Sequence, residues 1–172
     1  MKKTVLTFGL LSGALSALMM ASTVPFMHKI GFDKGLIVGY TAMLISFLFV
    51  YFGVRSYRDN VAGGQLSFGR GFSVGLLITL ISCVCYVVAW EIVYFNFIPD
   101  FAEQWGAYAV EQLRAAGATQ AALDAKAAEM AEFKKMYDNL LINAAFTFVE
   151  PLPVGFLVTL VSAVTLRKKL GS

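Results

Sequence analysis

Four stretches of the chain are continuous in apolar residues instead of alternating with polar ones: roughly 5–26, 36–54, 72–98 and 140–166. Each reaches the ~18 residues at which an apolar run reads as a membrane-spanning helix. The segment 100–138 breaks this pattern. It is alanine-rich and charged, and helix propensity there is high. Phe101, Trp105 and Tyr108 line one face of its first part, and Leu123, Ala127, Met130 and Tyr137 line one face of its second. Gly117 supplies a break and Thr119 a cap, so two antiparallel amphipathic helices are predicted outside the bilayer. The predicted fold class is all-α: an integral membrane four-helix bundle, a single domain over 1–172, with an extramembrane helical hairpin between spans three and four.

Composition sharpens the class. Only 15% of the 172 residues are charged, against about 25% in a soluble domain. The basic residues are also unevenly placed. With the N-terminus inside, Lys2, Lys3, Arg55, Arg58, Arg70, Arg167, Lys168 and Lys169 share the cytoplasmic side, opposed only by Asp59. The segment 100–138 then lies outside with seven acids and four bases. This is the positive-inside signal, and it predicts that both termini are cytoplasmic. Arg55 and Arg58, three apart on one helical face, and Arg70 read as inner-boundary contacts to lipid phosphates. No basic face for nucleic acid is visible. Lys2-Lys3 before an apolar run also fits a secretory signal. The run exceeds twenty residues, however, and Ala21-Ser22-Thr23 is a poor cleavage pattern, so a retained first span is expected.

Small residues recur at helical spacing. Gly9, Gly13, Ala17 and Ala21 form a small-xxx-small ridge that lets another helix backbone approach closely, either within the bundle or as a self-dimerisation face. Span three carries Gly75, Thr79 and Ser82, and span four carries Gly155, Thr159 and Ser162 at the same spacing. Both present narrow faces suited to tight antiparallel packing.

Two carboxylates interrupt the spans. Glu91 lies 21 residues beyond Arg70, about 31 Å along a straight helix, which places it near the outer boundary of a ~30 Å hydrocarbon core. Trp90 and Tyr94 beside it fit an aromatic belt. Glu150 lies 17 residues before Arg167, about 25 Å away by the same rise, in the outer third of the membrane. Asn143, Thr147 and Glu150 share one helical face. Pro151 and Pro153 leave the carbonyls of Thr147 and Val149 without their helical donors. A kinked helix with free carbonyls beside a carboxylate suits a small cation or a proton. The alternative is that Glu150 bonds Asn143, Thr147 or Tyr40 and only locks the bundle. The candidate intramembrane polar site is therefore Glu150, Asn143, Thr147 and Glu91.

Other chemistry is sparse. Cys83 and Cys85 point about 200° apart on a helix and read as small apolar residues. His28, the one histidine, is placed at the outer headgroup level. No metal-ligand spacing and no nucleophile with a base occur, so no metal, cofactor or catalytic residue is expected. A lipid-headgroup reaction would have only Arg55, Arg58, Asp59 and the loop 67–70 to draw on.

Four blocks together carry a resemblance: the Lys-Lys start with its small-residue span, GVRSYRD at 53–59, GGQLSFGRGFSVG at 63–75 with Trp90-Glu91, and EPLPVGFLVTLVSAVTLRKK at 150–169. The chain resembles the four-span bacterial membrane family catalogued as domain-of-unknown-function 4199, found mainly in Bacteroidota. The resemblance implies a bacterial inner-membrane protein of four helices and brings no activity. Two functional readings stand. The first is a non-enzymatic accessory, assembly or envelope-associated module acting through helix packing and its outer hairpin, with the lipid bilayer, a homo-oligomer or another membrane protein as partner. The second is transport or sensing of a small solute, proton or cation through Glu150 in the kinked fourth span, as a homo-oligomer.

Overall fold

The structure is a computed structural model, described over residues 1–26 and 30–168; His28, Lys29 and Lys169 fall outside the described residues. Its helices run α1 (Lys2–Thr23), a short 3-10 turn (Val24–Phe26), α2 (Phe32–Asn60), α3 (Phe68–Phe97), α4 (Phe101–Ala115), α5 (Gln120–Tyr137), α6 (Leu140–Val149) and α7 (Leu152–Leu166). Four segments are long and apolar enough to cross a membrane: α1, α2, α3 and the stretch Leu140–Leu166 made of α6 and α7. The fold is an all-helical membrane bundle, as the apolar runs imply. Helices α2 and α3 have 29 and 30 residues, roughly 44 Å each at 1.5 Å per residue. They outrun their apolar windows because helix geometry continues after the hydrocarbon ends.

The bundle mixes small polar residues into its apolar core and turns large apolar side chains outward. Its buried polar residues include Ser12, Ser46, Thr79, Ser82, Thr159 and Ser162, whereas Leu18, Ile37, Leu141 and Leu157 are at least 60% exposed. Lipid supplies no hydrophobic drive between helices, so small residues that permit close approach go inside and large apolar ones face out.

Two contacts organise the spans. Helices α1 and α3 run parallel, with Gly9 against Ile81 and Gly13 against Cys85. Ser12 Oγ lies 2.9 Å from both the Ser46 carbonyl oxygen, to which it donates, and Ser82 Oγ. Of the sequence ridge, Ala17 is half-buried and Ala21 exposed, so Gly9 and Gly13 make the close approach. Helices α3 and α7 run antiparallel and fit reciprocally. Gly75 receives Thr159, Gly155 receives Thr79, and the two threonine hydroxyls lie 3.0 Å apart. Helix α2 packs across α1, α3 and α7, with Val50 and Val54 fully buried.

At one end, Gly63 and Gly64 take positive φ (62° and 80°), a turn that favours glycine. Leu66 then pairs backbone-to-backbone with Lys168 at 3.2 and 3.0 Å. The same end holds the N-terminus, because α1 runs parallel to α3. The opposite end carries α4 and α5, an antiparallel hairpin closed at Gly117 and capped by Thr119, whose Oγ1 accepts from the Ala122 N–H. Met130 packs on Gly106 and Leu123 is buried, while Ala127, expected on that face, is exposed. The second hairpin helix does not run into span four. It stops at Tyr137, and Asn139 restarts the helix by accepting from the N–H groups of Leu141 and Ile142.

Interhelical hydrogen bonds in membranes average ~0.6 kcal/mol, whereas overpacking a tight site costs ~1–3 kcal/mol. Glycine fit should therefore matter more than the threonine pair. A Cβ at Gly155 would collide with Thr79 and crowd the Phe47 ring, whereas Gly39 faces open space. We expect Gly155→Ala to destabilise by about 1–3 kcal/mol and Gly39→Ala to be neutral or slightly stabilising, measured by unfolding in mixed micelles. Thr79→Val should fall between them. Equal effects of Gly155→Ala and Gly39→Ala would contradict the packing described.

Candidate functional site

The fourth span is broken where the sequence places Glu150 next to Pro151. Helix α6 ends at Val149, and α7 begins at Leu152 with Pro153 in its first turn. Proline lacks the N–H that would continue the ladder. The two halves then pack differently: α7 contacts both α2 and α3, whereas α6 lies against α3 and does not pack along α2. The space left between the start of α2, the end of α1 and α3 is a cavity of about 280 Å³, roofed by the hairpin.

Its wall is aromatic. Tyr40 comes from α2, Tyr86 and Trp90 from α3, Trp105 from α4, and Phe133 and Tyr137 from α5. Glu150 lines the same cavity, is accessible, and is the single charged residue in the wall among the described residues. Neither its carboxylate nor the hydroxyls of Tyr40 and Tyr86 form a hydrogen bond or ion pair among the described residues. The bonds that would have locked Glu150 to Asn143, Thr147 or Tyr40 do not form.

The hairpin is held over this cavity by a chain of directed contacts. Trp90 Nε1 donates to the Tyr137 hydroxyl at 3.0 Å, and the Tyr94 hydroxyl donates to Asp138 Oδ1 at 2.6 Å. Lys134 Nζ donates to Asp138 Oδ2 at 2.8 Å. Phe32 meets Phe101, Trp105 and Tyr108 at centroid distances of 5.9, 5.3 and 5.0 Å, and Trp90 meets Phe101 edge-on at 5.1 Å. Tyr108 also bonds Asp33. Burial pushes the Tyr137 phenol up to about 12, so it keeps its proton and can donate while accepting from Trp90.

Asn143 and Thr147 are buried and bonded to each other: Thr147 Oγ1 donates to Asn143 Oδ1 at 3.1 Å, and Asn143 Nδ2 donates to the Tyr137 carbonyl at 3.0 Å. They tie α6 to the hairpin and do not reach Glu150. Glu91 is outside the cavity wall. Both its oxygens are buried without a hydrogen-bond partner among the described residues. Trp90 faces the cavity instead of a lipid headgroup belt. The sequence signal for this wall was the crowding of Trp and Tyr at the outer ends of the spans and along the hairpin, which periodicity alone does not aim inward. At the far end of the molecule, Arg55 and Arg58 approach Asp59 at 3.7 and 2.7 Å, and Arg70 is exposed. Gly75 and Gly155 serve the α3–α7 contact.

The fold and its cavity define a multi-pass membrane protein, all-helical and with four candidate spans. Residues 7–168 match the family described as Protein of unknown function (DUF4199), and the chain belongs to that family, in line with its motif blocks. No curated protein and no solved structure matches it.

Asp138 is held below the usual carboxylate range, first by the Lys134 hydrogen bond and then by that of Tyr94. A carboxyl lowered in the folded state stabilises fully above its unfolded value of about 3.9 and loses that stabilisation as pH falls through the lowered value. The Lys134 pair is partly exposed (35% and 42%) and is worth at most ~1 kcal/mol. The aromatic contacts therefore carry most of the hold. Hydrogen exchange at 134–143, corrected for intrinsic rate, should not change between pH 8 and 5 and should rise only below about pH 3.9. Asp138→Asn should remove that acid step and speed exchange modestly at pH 7. A step near pH 6 would contradict this assignment.

Proposed function

We propose that this protein is a non-enzymatic recognition module of the bacterial inner membrane that binds a small cationic solute at Glu150, beneath its outer hairpin. The observation that carries the reading is the placement of one unpartnered, accessible carboxylate as the single charge, among the described residues, in the wall of a cavity rich in aromatic rings. A carboxylate in such surroundings is costly to maintain without a counter-charge. A cation in the cavity supplies one.

The accessory reading has the protein act through helix packing and its outer hairpin. Phe101, Trp105 and Tyr108 pack on Phe32 of the same chain, so the hairpin's aromatic face is occupied. The Gly9–Gly13 ridge, the candidate face for a homo-oligomer, is filled by Ile81 and Cys85. Both observations favour the cavity over the surface. Lys2, Lys3, Arg55, Arg58, Arg70 and Lys168 cluster at the end away from the hairpin, which supports cytoplasmic termini held by anionic lipid headgroups.

A ligand at about 100 times its Kd stabilises a protein by ~2.7 kcal/mol, enough to move a melting temperature by several degrees. Thermal unfolding of the full chain in lipid nanodiscs, titrated with sodium, potassium, calcium and tetramethylammonium chlorides, should show such a rise with at least one cation. Glu150→Gln should abolish it and leave the helical content unchanged. Identical salt responses of wild type and Glu150→Gln would remove the cation site.

A further inference from the structure

Eight of the nineteen residues lining the cavity are aromatic, about three times the 14% of the whole chain. Among the described residues the wall holds no lysine or arginine, so there an anion would meet the Glu150 carboxylate with no cation to offset it. It also holds few oxygen ligands. A calcium ion takes 6–8 oxygens, but among the described residues no group of three or more His, Cys, Asp or Glu comes together. The wall's side-chain oxygens are the Glu150 carboxylate and the hydroxyls of Ser16, Thr23, Tyr40, Tyr86 and Tyr137, one anionic ligand among neutral hydroxyls on several helices.

We propose that the cavity takes an organic ammonium ion, an alkylated or trimethylated amine, seated among aromatic rings with its charge countered by Glu150. This rests on the cation-site reading and names the chemical class of the occupant. A ring presents its negative face to a cation, so many weak contacts from Tyr40, Tyr86, Trp90 and Trp105 replace the dense oxygen shell a metal ion needs. Alkyl groups on nitrogen suit the same wall because they are shed from water at low cost, unlike the hydration shell of sodium or calcium. The volume fits a small member of this class. About 280 Å³ lies just below the usual ~300–1,000 Å³ of ligand pockets and corresponds to roughly nine waters at ~30 Å³ each. The position at the hairpin end of the spans leaves two sources of the same chemistry: a free amine arriving from outside, or the amine headgroup of a neighbouring lipid.

The protein reports on itself, because both of its tryptophans, Trp90 and Trp105, line the cavity. Choline is titrated against tryptophan emission of the full chain in nanodiscs of phosphatidylglycerol, a lipid without an ammonium group. Its neutral isostere, 3,3-dimethylbutan-1-ol, is the control. The expected result is saturable choline binding, at least tenfold tighter than that of the alcohol. Glu150→Gln should weaken choline at least tenfold. Tyr40→Leu, at an exposed position with no hydrogen bond to lose, should weaken it about two- to fivefold. In discs containing phosphatidylcholine, whose headgroup carries the trimethylammonium group, lost choline binding identifies the lipid headgroup as occupant, and retained binding identifies a free solute. Both results support the ammonium class. Equal binding of choline and the alcohol overturns the proposal by making the cavity merely apolar. A Glu150-dependent response to sodium, potassium or calcium, with none to choline, overturns it while sparing the cation reading. No response to any cation removes both.

Discussion

Helices α3 and α7 approach closely enough for the hydroxyls of Thr79 and Thr159 to lie 3.0 Å apart, and the rest of the structure depends on that approach. It is possible only because Gly75 and Gly155 each present bare backbone to the opposite threonine. Once α3 and α7 are locked, α2 fills the groove they form and α1 lies along the far side of α3 through Gly9, Gly13 and Ser12. The half of the bundle bearing the termini is thereby packed, and its loops are joined by the Leu66–Lys168 backbone pair.

The other half is built on the interruption of the same contact. Pro151 ends the regime in which span four touches both α2 and α3, and α6 continues along α3 alone. A gap inside a bundle forfeits dispersion contacts along its walls, so it needs other support. The hairpin provides it, through the aromatic cluster around Phe32 and the bonds from Trp90 and Tyr94 to Tyr137 and Asp138. Asn143 and Thr147 serve that support, carrying the hold from the hairpin into α6. Glu150 is thus placed at the boundary between a tightly packed half and an open one.

Much of this was legible in the sequence, and the parts that were not have a common cause. Continuous apolar runs marked the four spans, because a bilayer demands length and hydrophobicity whatever the neighbours do. Gly117 and Thr119 were readable because turns and caps are local chemistry. The matched Gly75 and Gly155 positions announced close packing but not which helix would take Gly9 and Gly13. The direction in which Trp90, Trp105 and Tyr137 face was hidden. An aromatic residue at a span end satisfies a lipid interface and a cavity wall equally well, and only the packing of α6 away from α2 decides between them. The expected company of Glu150 with Asn143 and Thr147 failed for the same reason. Asn143 and Thr147 are buried and satisfied by each other and by the Tyr137 carbonyl, whereas Glu150 is exposed to the cavity.

A cation site at Glu150 requires position 150 to open into a water-accessible cavity and not onto lipid. The direct test places Glu150→Cys in a background with Cys83 and Cys85 replaced by alanine. The full chain in nanodiscs is then treated with a trimethylammonium methanethiosulfonate reagent and, separately, with a lipid-soluble maleimide. Rapid modification by the charged reagent is the expected result. Modification by the maleimide alone would place position 150 against the bilayer and contradict it.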